Sequence, residues 1–254
     1  MTQNPILKVL FTFKKYQVKC LLIGGQAAIV YGAAEFSRDS DFVILCTPKN
    51  LAYLQKALNH LKAELIYVPP LERGYLERGH ASHFRCRGKG VENLRVDVIS
   101  KLRGCDSFDK LWERKKIVSL PGGHTIDIIG LRDLVQSKKT QRDKDWLMLK
   151  RLVENDIILH KASPSKYQLR WWFSEDRAAD RLIELARAYP EIARECVAQR
   201  PLLFSAIKAN RKKLDKQLNE EELRECKKDI EYWAPLKKEL EILRQQKTRL
   251  PKLA

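Results

Sequence analysis

Two glycines, a pair of aspartates and a third aspartate further along have the clearest chemical potential in this sequence. Leu21-Leu22-Ile23-Gly24-Gly25-Gln26 is an apolar run closed by a glycine pair, and Asp39-Ser40-Asp41-Phe42-Val43-Ile44 follows after residues 26 to 38. Glycines lack the side chain that keeps an anion away from backbone N–H groups. A helix starting just after them turns its positive end toward the same anion. The aspartates stand at i and i+2, which strand alternation places on one face. Neighbouring carboxylates repel unless a cation lies between them, and a divalent metal is the usual one. Asp97, in Arg95-Val96-Asp97-Val98-Ile99, offers a third carboxylate from another strand-like segment. Phosphate held by backbone groups against a divalent metal is the chemistry this combination serves.

Positioning those residues requires strands and helices in alternation, and the first 130 residues supply them. Helices are expected over Pro5–Tyr16, Gln26–Tyr31 (closed by Gly32), Asn50–Leu61 and Phe108–Lys116. Strands are expected over Lys19–Ile23, Asp41–Cys46 and Thr125–Ile129, with His83–Arg87 and Leu94–Ser100 paired across the turn residues Gly88-Lys89-Gly90. Such a mixture implies an α/β or α+β domain with a small mixed sheet. From about residue 131 the pattern is helical throughout. One helix is expected over Leu131–Asn155, and the next starts at Ser163-Pro164 with serine as N-cap. Restarts are expected at Pro190, Pro201 and Pro235, and Ala206–Leu250 reads as a helical hairpin. The expected division is a mixed-sheet domain over residues 1–160 and an all-helical C-terminal region over 161–254.

Charge narrows the partners. Lys and Arg number 49 against 32 Asp and Glu, a formal net charge of +17, which favours a polyanion: nucleic acid, nucleotide phosphates or an acidic protein. The longest apolar stretch, Leu21–Ala34, is broken by glycines and too short to span a bilayer, so no membrane partner is expected. No charged-then-apolar leader opens the sequence, which points to a cytoplasmic location. The six cysteines include no C-x-x-C pair and read as ordinary thiols. His80, His83 and Cys86 share a three-residue spacing, but strand alternation would point them apart and no fourth zinc ligand is evident. Trp171-Trp172-Phe173 is either helix core or a base-stacking platform, and Arg211-Lys212-Lys213 either a solvated helix face or a grip on a phosphate backbone.

Taken together, a glycine pair, Asp-x-Asp and a later apolar-Asp-apolar strand resemble the nucleotidyltransferase superfamily of DNA polymerase beta. Ser37-Arg38-Asp39-Ser40-Asp41-Phe42 is similar to the T-R-D-x-D-F form of minimal bacterial nucleotidyltransferases, which include abortive-infection toxins and small-molecule-modifying enzymes. Leu131-Arg132-Asp133-Leu134-Val135-Gln136-Ser137-Lys138, followed by Arg142-Asp143-Lys144-Asp145, resembles the D-L-I-x-x-K and R-x-K-D elements of that branch. The resemblance covers roughly residues 20–150. It implies that Asp39, Asp41 and Asp97 hold two Mg²⁺ ions and that Gly24 and Gly25 cradle the phosphates of an NTP such as ATP. Ser37 and Arg38 would stand beside that nucleotide, and Lys138 and Arg142 would counter charge as pyrophosphate leaves. The implied reaction transfers an NMP to an acceptor hydroxyl. The charge favours RNA as acceptor, with the tRNA 3′ end the leading candidate. A toxin paired with an antitoxin protein is one setting consistent with the family. Small-molecule (antibiotic) or protein-modifying transfer, or non-catalytic nucleic-acid binding, are the alternatives. Two positions depart from the pattern: Ser40 replaces a usually apolar residue, and Gly25 a serine that bonds phosphate in many relatives.

Overall fold

In the computed structural model, residues 5–34, 36–37, 39–120 and 123–249 are described, with side chains through residue 246. The chain is an α+β protein and forms two compact units. The first comprises Met1–Val30, Ala34–Ser137 and Glu231–Ala254; the second comprises Tyr31–Ala33 and Lys138–Ile230. The expected boundary near residue 160 differs from this division. Ser137 ends a helix and Lys138 opens the second unit, so the helix that follows packs with the helical region rather than with the sheet.

The first unit is built on a mixed sheet. Its strands are β1 (Cys20–Ile23), β2 (Asp39–Ile44), β3 (Ala63–Leu65), β4 (Ser82–Cys86), β5 (Arg95–Ile99), β6 (Lys116–Ser119) and β7 (Thr125–Ile128), in the order β3-β4-β5-β2-β1-β7-β6. The helices among them are α1 (Pro5–Lys15), α2 (Gly24–Val30), α3 (Pro48–His60), α4 (Arg73–Arg78), α5 (Phe108–Glu113) and α6 (Leu131–Ser137). β2 runs antiparallel to β1 and parallel to β5, so both neighbours of the Asp-x-Asp strand are themselves inside the sheet. Alternation fixes the faces. Phe42, Val96, Val98 and Phe84 turn into the core, where Phe13 of α1 meets Phe42 with ring centroids 4.9 Å apart. Asp39, Asp41, Arg95, Asp97, His83 and Arg85 turn to the opposite, half-exposed face.

Local chemistry explains where these elements start. Thr47 caps α3 and Pro48 opens it, as the missing proline N–H needs no partner there. The buried Asn50 side chain then bonds the backbone of Lys19 (2.7 and 3.0 Å) and Leu45 (2.8 Å), joining the start of β1 to the end of β2. Beneath the site, Ser40 is fully buried and its Oγ has no hydrogen-bond partner. Burying an unpaired hydroxyl costs about 1–3 kcal/mol. Ser40→Ala is therefore expected to raise stability by about 1 kcal/mol, read as a higher urea midpoint at unchanged slope. A lower midpoint would show that the hydroxyl contributes to the fold.

Three expectations for the helical region are corrected. Leu131–Asn155 is not one helix but α6 and α7 (Asp143–His160). Thr140 makes the break: its carbonyl accepts from Trp146 Nε1 (2.7 Å) and its hydroxyl bonds Asp145 (2.7 Å), holding the chain out of helical form. The next helix, α8 (Lys166–Glu175), is capped by Ser165 rather than Ser163, because Ser165 has Gln168 three residues on to complete a capping box. After α9 (Ala179–Ala188), α10 (Pro190–Val197) and α11 (Leu203–Ile207), the expected hairpin is a single helix, α12 (Arg211–Arg249), with Pro235 inside it. Proline forfeits one helical hydrogen bond. Contacts beyond it hold the helix regardless: Leu236 is buried, and Glu239 bonds both Arg78 (2.6 Å) and the buried His80 (2.7 Å). Trp171, Trp172 and Phe173 are all buried, with the Trp172 indole donating to Asp156 at 2.8 Å, so they are core and not a stacking platform.

Candidate active site

The glycine turn and the aspartate strand meet within the first unit. Gly24 leaves β1 with φ +67°, a left-handed conformation that glycine adopts without strain. A Cβ placed there would fall 2.1 Å from Asp41 Oδ2, so the carboxylate occupies the space a side chain would fill. Gly25 has a second such neighbour. A Cβ there would lie 2.5 Å from the Ser37 hydroxyl, which itself donates to the Asp39 carbonyl at 3.3 Å. The Ser37 hydroxyl thus takes the space that a side chain at position 25 would fill, and Gln26 fixes the loop by donating to the Ser37 carbonyl at 2.8 Å. Arg38 lies outside the described residues.

Strand register brings the third carboxylate to the first two. Asp41 pairs with Asp97 across β2 and β5, and Asp97 pairs with His83 across β5 and β4. One row further along, Asp39 pairs with Arg95 and Arg95 with Arg85. Directly paired residues share a face, with side chains about 5 Å apart at Cβ. Asp39, Asp41 and Asp97 therefore share the half-exposed face of adjacent strands. Asp97 is engaged there: Arg95 reaches it with Nε to Oδ1 (2.9 Å) and Nη2 to Oδ2 (2.8 Å), and His83 Nδ1 lies 2.9 Å from Oδ1. The hydrogen bonds to Asp97 push the Arg95 guanidinium above its ordinary range against the opposing effect of burial. Arg95 is a site residue that motif reading passes over. Its signal is the same alternation that pairs Asp39 with Asp41: it stands two residues before Asp97.

Three carboxylates with hard oxygen donors, on one face beside a Cβ-free turn, are the donor chemistry of Mg²⁺. Among the described residues, however, no three His, Cys, Asp or Glu groups are gathered closely enough to enclose an ion. The positive charge at Asp97 is supplied by the Arg95 fork. His80, His83 and Cys86 are dispersed: His80 is bound to Glu239, His83 to Asp97, and Cys86 points into the core. Of the thiols, Cys86 is pushed up to about 11 and Cys20 to about 12, chiefly by burial, so neither is poised as a nucleophile.

Lys138 and Arg142 belong to the second unit, and both are occupied. The Lys138 ammonium is buried and 3.0 Å from Asp145, which also receives Arg142 (2.6 Å) and the Thr140 hydroxyl (2.7 Å). Lys138 thus pairs with the N-terminal turn of α7. Burial pushes the Asp145 carboxyl up, but Lys138 and Arg142 outweigh it and hold the group below the usual carboxylate range. Glu221 is similar. Burial raises it, yet its bonds from Arg200 (2.8 Å), with Arg177 also on the same oxygen, leave it depressed. A cavity of about 340 Å³ beside this cluster is lined by Arg200, Arg224, Lys228, Glu220, Glu221 and Glu225 among others, with both signs of charge represented. The 211–213 basic run opens α12, with Arg211 paired to Asp180 at 3.1 Å.

A carboxyl with a depressed native pKa stabilises the fold above its unfolded value near 4, and that contribution is lost as pH falls through the native value. Thermal melts are therefore expected to hold level above about pH 5 and to fall steeply below about pH 4. Lys138→Met should lower stability by about 3 kcal/mol, since it leaves Asp145 buried with fewer partners. A melting temperature independent of pH down to the acid limit, or an unaffected Lys138→Met variant, would contradict the buried-pair assignment.

No family model matches the chain, and no curated protein matches it. No helix among the described residues is long and apolar enough to cross a membrane.

Proposed function

We propose that the chain is a metal-dependent nucleotidyltransferase that moves an NMP from an NTP to an acceptor hydroxyl, with RNA as the acceptor. The observation carrying this reading is the register of Asp41 with Asp97 on one sheet face, beside a glycine turn closed over Asp41. Asp39, Asp41 and Asp97 would hold the metal, which when bound neutralises the triphosphate and lowers the pKa of the acceptor hydroxyl. The backbone at Gly24 and Gly25 and the hydroxyl of Ser37 would face the phosphates. A carboxylate oxygen of Asp97, released from Arg95, would accept the hydroxyl proton. The acceptor oxygen then bonds to the α-phosphorus, the bond from that phosphorus to the bridging oxygen breaks, and pyrophosphate leaves with both bonding electrons.

Support for RNA over a small acceptor is the +17 charge, which a compact antibiotic pocket does not need. The tRNA 3′ end, with a toxin role held in check by an antitoxin, is the setting this reading favours. Titration calorimetry with each of the four NTPs in Mg²⁺ tests the nucleotide half of the proposal. Binding of at least one NTP that is lost in Asp39→Asn/Asp41→Asn is expected. Equal binding by that double variant, or none by the parent, would remove the site assignment.

A further inference from the structure

Past Asp97, the half-exposed sheet face continues onto β4, and there its charges do not balance. Arg85 and Arg95 are directly paired across β4 and β5, a like-charge arrangement that strand pairing ordinarily disfavours. Arg95 is neutralised by Asp97. Arg85 is not. Glu64, its paired residue on β3, turns to Arg87 at 2.9 Å, and among the described residues no carboxylate pairs with Arg85. The Arg85 Nε is buried and has no hydrogen-bond partner. A guanidinium N–H left in that condition lowers stability, and an external anion would relieve it.

A second, independent observation names the anion's class. Tyr67, just after β3, is 48% exposed, although its ring lies 5.7 Å from the Arg95 guanidinium and meets His83 edge-on at 5.8 Å. An open aromatic ring on the same sheet face as an unneutralised guanidinium, here Arg85 paired directly with the Arg95 that Tyr67 overlies, is the combination by which single-stranded nucleic acid is held: stacking for a base and a guanidinium for a phosphate. Arg85 is the diagonal neighbour of Asp97, roughly 7–8 Å away along the paired strands, within reach of the same terminal nucleotide.

We propose that Arg85 anchors a backbone phosphate of a single-stranded RNA end while Tyr67 stacks one of its bases, presenting the terminal hydroxyl to Asp97. The inference rests on the nucleotidyltransferase reading for what becomes of that hydroxyl; the binding does not, so it is measured in EDTA without NTP. The probe is a short 5′-fluorescein oligoadenylate followed by anisotropy over a KCl series. Arg85→Gln should weaken binding roughly tenfold and flatten the log–log salt slope by about 0.7, the loss of one single-strand phosphate contact. Arg85→Lys should keep the slope. Tyr67→Ala should weaken binding roughly tenfold with the slope unchanged. The melting temperature of Arg85→Gln should equal or exceed that of the parent, because the replaced cation has no partner. Unchanged affinity and slope in Arg85→Gln would overturn the proposal, as would weaker binding at an unchanged slope. If binding behaves as stated but no nucleotide is transferred, the nucleotidyltransferase reading falls and the RNA site stands. If transfer occurs and Arg85→Gln binds RNA like the parent, the reverse holds.

Discussion

Asp41→Asn is expected to melt within about 1 kcal/mol of the parent while losing at least about 10³-fold in nucleotide transfer. The substitution is isosteric, so the contact of residue 41 with the Gly24 turn keeps its shape. What disappears is a negative charge at the β2 end of the row Asp41–Asp97–His83, on the same strand face as Asp39. A neutral amide holds a hard divalent cation more weakly than a carboxylate, because it brings no charge to balance the ion. Circular dichroism and steady-state transfer rates measured on the same preparation separate the two effects. Transfer retained at a tenth of the parental rate or more would remove Asp41 from the metal site.

The second large effect is expected for Gly24→Ala. Two costs coincide at this position. A φ of +67° is strained for any residue with a Cβ, by roughly 1–2 kcal/mol. The added methyl would also lie 2.1 Å from Asp41 Oδ2, so either the turn or the carboxylate must move. A loss of about 2–4 kcal/mol is expected by denaturant unfolding, with nucleotide binding abolished even below the new melting temperature. Gly32→Ala is the matched control. Its φ of +73° imposes the same backbone strain, but its nearest neighbour is the Asn155 amide at 3.1 Å. It should cost stability and leave nucleotide binding intact. Equal effects of the two on binding would show that backbone strain alone, not the Asp41 contact, gives Gly24 its importance.

What was legible in the sequence follows from the range of the interactions. Alternation is a local property, so the shared face of Asp39 and Asp41 and the strand around Asp97 could be read directly, as could the pairing of β4 with β5 across Gly88–Gly90. The register of β2 against β5 joins segments more than fifty residues apart, and no local pattern specifies it. That register puts Asp41 beside Asp97 and Asp39 beside Arg95, and the β3–β4–β5 pairing sets Arg85 between Glu64 and Arg95. Lys138 shows a limit of another kind. Its place in a family-like motif suggested phosphate, while a buried partner seven residues on, Asp145, takes its charge. Pro235 misled for the same reason: proline is a local stop signal, and the contacts of Leu236 and Glu239 that override it come from distant parts of the chain.

The most direct test of the central claim is transfer of label from each α-³²P NTP in Mg²⁺, run in parallel onto total RNA, lysate protein and no acceptor. The Asp39→Asn/Asp41→Asn protein and an EDTA arm serve as controls. The proposed chemistry predicts label on RNA 3′ ends from at least one NTP, absent from both controls. Label on protein instead would keep the site and change the acceptor. Label on RNA that persists in the double variant, or no label from the parent on any acceptor, would contradict the account.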